Sequence, residues 1–92
     1  MDARKFILEH NPDAIFIEGL DEALIGLIEK NSVFVALYDE SKTIELLMKK
    51  ENMSYDEALE WFYFNIEGAY LGVNTPVFFT PFPVKSIERG SE

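Results

Sequence analysis

Apolar and polar positions change period several times along the chain, and each change marks an element. In DARKFILEH, residues 2 to 10, Phe6, Ile7 and His10 recur at helical spacing. Asn11-Pro12 ends that run, because the residue before a proline avoids the α region. This predicts a short N-terminal helix. AIFIE, residues 14 to 18, alternates in β-rich residues up to Gly19 and predicts a strand. The next stretch has two readings. DEALIGLIEK winds as a helix with Leu24, Leu27 and Ile28 on one face, at a cost of about 1 kcal/mol for Gly26 in its middle. Alternatively, residues 23 to 29 and 33 to 38 form the arms of a hairpin turning at Asn31-Ser32, a weaker turn than Asn-Gly. The arm VFVALY is β-branched and aromatic and predicts a strand.

Helical periodicity then returns twice. Asp39 or Ser41 can cap a helix through Lys50, with Ile44, Leu47 and Met48 as its inner stripe, a Glu45 to Lys49 pair one turn apart, and Asn52 closing it. Ser54-Tyr55-Asp56-Glu57 is a capping box, with Met53 and Ala58 at the staple positions around it. It opens a helix from Tyr55 to Leu71 that ends at Gly72 in a left-handed C′ conformation, with Val73 as the apolar residue after it. Pro76 forbids resumption, and PVFFT, residues 76 to 80, predicts an edge strand. The remainder, PFPVKSIERGSE, predicts an extended arm or a frayed tail. Together these elements predict an α+β domain. A three- or four-stranded, mainly antiparallel sheet packs against the helix pair 41 to 52 and 55 to 71, beside a short N-terminal helix.

Composition narrows the class. A chain of 92 residues builds one hydrophobic core, so residues 1 to 92 form a single domain, with its core in 14 to 80. There is no Cys, which removes disulfides, thiolate nucleophiles and Cys-ligated metals, and the one His, His10, cannot build an ordinary metal site alone. No cofactor is called for. Seventeen acidic against eight basic residues give a net charge of −9, which argues against direct nucleic-acid binding; an acidic face repels nucleic acid, attracts a protein partner of basic character or, most commonly, keeps a protein soluble. No Lys or Arg occurs from Phe6 to Glu29 or from Glu51 to Val84. No apolar run is long enough to span a membrane and none resembles a secretory signal, so the expected location is the cytoplasm.

Charge and aromatic content meet in WFYFNIEGAYLG, residues 61 to 72. On an unbroken helix Asp56, Glu60, Tyr63 and Glu67 make a narrow polar stripe. Leu59, Phe62, Ile66 and Tyr70 form one apolar row and Trp61, Phe64 and Leu71 another, an arc wider than the roughly 100° of an ordinary surface helix. Gly68 and Ala69 permit close backbone approach. Asn65 falls inside the wide arc. It is either a buried tie to backbone or a polar contact for a ligand or partner beside Trp61 and Tyr70, since a buried amide left unsatisfied costs about 1 to 3 kcal/mol. With Tyr38 and Thr75, these residues make up the candidate contacts. Glu18, Asp21, Glu22 and Asp39 could converge on a divalent cation if the strands pair; a solvated acidic rim is the competing reading. His10 beside Glu9 is one candidate general base. However, the chain has no G-x-S-x-G, no phosphate-binding loop and no G-x-G-x-x-G, which disfavours an enzyme.

Residues 15 to 79 resemble a family of small uncharacterised proteins of phage, bacterial and archaeal genomes. EGLDEALIG (18 to 26), LYDESKTIELLMKKENMSYDEALEWFYFN (37 to 65) and GAYLGVNTPVFF (68 to 79) carry the resemblance, the last continuing F-N-x-x-G-A-Y/W-x-G-x-x-T-P-x-F from Phe64. The resemblance implies a hairpin rather than a helix at 23 to 29 and carries no assigned activity. Three functions fit this sequence. The first is a small acidic binding or regulatory module, with a homodimer as one arrangement. The second is an inhibitor that mimics nucleic acid and occupies a basic groove. The third is a metal-assisted enzyme using Glu18, Asp21 and Asp39.

Overall fold

The computed structural model describes residues 2–67 and 71–80. Helix α1, Ala3–His10, begins at Asp2, whose carboxylate accepts the Arg4 and Lys5 N–H groups at 3.0 and 3.4 Å. It ends at Asn11, held extended as a pre-proline residue requires. Residues 14–17 form no strand, against the alternation that predicts one. A strand needs a neighbour, and the Ile17 N–H instead donates to the Tyr38 hydroxyl at 2.8 Å. The side chains of Ala14, Phe16 and Ile17 still pack against the core, so the apolar pattern is real but serves packing rather than pairing.

After a 3-10 turn at Asp21–Ala23, strands β1 (Leu24–Lys30) and β2 (Val33–Asp39) make the antiparallel hairpin. Asn31 and Ser32 turn it with both residues left-handed, at φ 52° and 67°, the mirror-image turn whose twist matches the strands. The register slips between Leu24 and Gly26, so Ile25 bulges and Leu24 rejoins Leu27 on one face. Strand β3, Val77–Phe79, pairs parallel with β2, Leu37 opposite Val77 and Asp39 opposite Phe79. The three-stranded sheet is therefore mixed, because β3 returns by way of the helix pair and so runs the same way as β2.

Helix α2, Glu40–Lys50, is capped by Asp39, whose carboxylate accepts the Lys42 N–H at 3.0 Å. Asn52 closes it at φ 54°, and the Met53 N–H returns to the Met48 carbonyl at 3.2 Å, a left-handed helix stop. Glu45 pairs with Lys42 at 3.0 Å rather than with Lys49. That hydrogen bond raises the Lys42 ammonium pKa and lowers that of the Glu45 carboxyl. Helix α3 starts at Ser54 with both capping-box bonds present: Ser54 Oγ accepts from Glu57 N–H at 3.2 Å, and the Glu57 carboxylate from Ser54 N–H at 2.8 Å. The α geometry lasts only over Tyr55–Phe62, and a π-helical turn, Tyr63–Glu67, follows. The expected continuation to Leu71 does not occur, since Leu71 lies outside any helix; Gly68, Ala69 and Tyr70 lie outside the described residues, as does the expected tail from Pro81. Gly72 is left-handed at φ 94°, and Val73, expected as the apolar residue after it, is 61% exposed.

All three helices cover the sheet face that carries Ala36, Tyr38 and Phe78. Ile7, Leu20, Ala23, Leu24, Ala36, Tyr38 and Leu46 form one buried cluster on it. Ile44, Leu47, Ala58 and Phe62 form a second between α2 and α3. Ile66 and Phe78 touch both. The Phe78 ring stacks on Tyr38 at 5.3 Å and meets Phe62 edge-on at 5.0 Å, so the short strand β3 supplies the ring that joins the clusters.

Candidate functional site

Asn65 is exposed, and its amide Nδ2 donates to the Trp61 carbonyl at 3.0 Å, one turn back along its own helix. The expected burial fails because of the π turn. A wider turn winds by fewer degrees per residue than the roughly 100° of an α-helix, so side chains lag behind their α positions. That lag swings Asn65 away from the side on which Ala58 and Phe62 are buried, while Ile66 packs on the core in the row its spacing predicts. Phe64, on the same turn, is 79% exposed, whereas Phe62 one residue before the turn is fully buried.

Trp61, Phe64 and Asn65 line one side of an open depression of about 380 Å³. Glu57 and Glu60 continue that side along α3, and Glu51, Asn52 and Met53, at the link between the helices, form the other. The capping box fixes the Glu57 carboxylate against Ser54, and the left-handed Asn52 sets the path of the opposite wall. The site thus combines an exposed ring pair, two amides and three carboxylates.

The other candidates are placed elsewhere. Tyr38 is fully buried, and its hydroxyl is the acceptor for Ile17 N–H. It is the buried polar tie that helical spacing assigned to Asn65. Burial raises its phenol pKa, partly opposed by that N–H bond and by the charge of Arg4. Thr75 locks its own loop, since Oγ1 accepts the Leu71 N–H at 2.8 Å and donates to the Gly72 carbonyl. Tyr70 lies outside the described residues. His10 is wedged between the rings of Phe6 and Phe34, at 4.9 and 5.5 Å. Its Nδ1 lies 3.0 Å from the Phe6 carbonyl, an acceptor, so that nitrogen carries the proton.

The carboxylates proposed as cation ligands are engaged by cationic side chains or by backbone. Arg4 Nη2 lies 2.7 Å from Asp21 and 3.6 Å from Glu18, with its guanidinium 4.9 Å over the Phe16 ring. Lys50 lies 3.9 Å from Glu22 and donates to the Gly19 carbonyl at 3.0 Å. Asp39 caps α2. Among the described residues no three acidic or imidazole groups gather where they could hold a metal ion.

Two nodes have no signal in the sequence. Glu40, buried in the first turn of α2, accepts hydrogen bonds from the hydroxyls of Tyr63, at 3.2 Å, and Thr80. The Asn11 amide donates to Phe34 O at 2.8 Å and Asn74 Oδ1 at 2.9 Å, tying α1, the hairpin and the loop before β3. Phe64 could have been singled out only by anticipating the π turn. Among the described residues no helix is long and apolar enough to cross a membrane. Comparison with protein-family models, with curated proteins and with solved structures found no match to this chain.

Proposed function

We propose that the protein is a small cytoplasmic binding module that docks a protein partner on the exposed side of α3 and its π turn. The observation that carries this reading is Phe64, 79% exposed at the break in the helix, beside Trp61 at 40%, over an open depression. Large apolar side chains grouped at the surface mark interaction sites, and π turns persist mostly where a displaced side chain has a use. The depression is open rather than enclosed, which favours a protein segment over a small substrate. The mimicry alternative requires carboxylates aligned along one face. Exposed acids instead occur on α1, at residues 13–22, at Glu29 on β1, on α2 and on α3, and several are paired with Arg4, Lys42 or Lys50.

The test is affinity capture from native lysate with the wild type and Phe64→Ser side by side. Phe64→Ser keeps the wild-type melting temperature to within the shift of an ordinary surface change, about 0.5 kcal/mol, and loses the specific companions. Identical companions for both proteins would refute the docking reading. Sedimentation across a concentration series separates a second copy of the chain from a different partner.

A further inference from the structure

We infer that the depression beside Trp61 seats a Lys or Arg side chain carried on an apolar segment of the partner. This inference rests on the docking reading above and adds the chemistry of the occupant. Among the described residues Glu51, Glu57 and Glu60 line the depression and no Lys or Arg does. A neutral or acidic segment laid there would bring apolar or like-charged groups against three carboxylates, whereas a cation brings a matching charge. The Asn65 amide adds to this polarity. One hydrogen of its Nδ2 goes to the Trp61 carbonyl, and its Oδ1 is an acceptor like the carboxylate oxygens around it. Lys and Arg heads are pure donors.

The rings complete the seat. Trp61 and Phe64 present aromatic surface at the same rim, where a cation is held over a ring face and its aliphatic stem packs on apolar carbon. Met53 extends that apolar floor. The Glu57 carboxylate is already held by Ser54 N–H at 2.8 Å, so one wall is set before anything binds. Guanidinium, planar and forked, fits adjacent carboxylates and stacks on rings, which makes Arg the better occupant.

The chain's one tryptophan lies in the site, so its emission reports occupancy directly. A random peptide library is selected on the full-length protein, and the enriched peptides are titrated against Trp61 emission. The expected result is enrichment of Arg or Lys next to Leu, Phe or Met, with saturable emission changes that weaken as salt rises. Glu60→Gln raises Kd by about two- to five-fold, the range for one exposed charge pair, and Phe64→Ala raises it further. Glu9→Gln, on α1, leaves it unchanged. Enriched peptides without a cation, or binding lost with Phe64→Ala but indifferent to Glu60→Gln, overturn the cation seat and leave the docking surface standing. A library that yields no peptide sensitive to Phe64→Ala overturns both. Self-association that the selected peptides displace assigns the face to a second copy and likewise overturns the inference.

Discussion

The Tyr38 hydroxyl accepts the Ile17 N–H in the interior, and that bond fixes residues 14–17 to the sheet they fail to join as a strand. Tyr38→Phe keeps the ring stacked on Phe78 but strands a buried N–H, which costs about 1 to 3 kcal/mol in urea unfolding. The same hydroxyl sets a pH dependence. Its folded pKa is raised by burial above the ordinary phenol value, so the unfolded chain gives up this proton first. The contribution to stability is complete below about pH 10 and is lost as pH climbs through the raised value. An ultraviolet titration shows a late phenol ionisation that Tyr38→Phe removes; an unchanged titration in the variant would contradict the assignment. Helical spacing placed Asn65 in the apolar arc, as a buried tie or a ligand or partner contact, because it assumed unbroken α winding, and no local residue type announces the π turn. Glu40 was equally hidden. Its partners stand 23 and 40 residues away in sequence, beyond any periodic signal.

Elements whose cause is local were legible. The Ser54 capping box, the stop at Asn52 and the helix end before Pro12 each depend on a few neighbouring residues, and each occurs where the sequence put it. The hairpin was half legible, because its period matched a helix as well as a strand and only pairing with VFVALY decides between them. AIFIE failed for the complementary reason, having strand composition and no strand to pair with. The hairpin turn also carries a local cost. Ser32 sits at φ 67°, a conformation disfavoured by about 1 kcal/mol for a residue with a side chain. Ser32→Gly therefore stabilises the protein by up to about 1 kcal/mol, raising the melting temperature by about 4 to 8 °C at that limit. A lower melting temperature would mean that the Ser32 hydroxyl has a role in the turn.

For the molecule as a whole, the decisive joint is Phe78, which meets Tyr38 of the first cluster and Phe62 of the second. Phe78→Ala removes about 3 to 5 kcal/mol, a large share of the 5 to 15 kcal/mol typical of a domain. It also separates the unfolding midpoint seen by Trp61, beside the second cluster, from that seen by tyrosine signals of the first. Coincident midpoints in the variant would show that Ile66 couples the clusters unaided. One further feature bears on how copies of the protein behave together. Among the described residues β1 is an outer strand, and LIGLI is a sequence on which identical chains can stack into filaments. The residue displaced at Ile25 interrupts the comb of backbone amides that such stacking needs, so one inserted residue works against edge-to-edge association of identical chains.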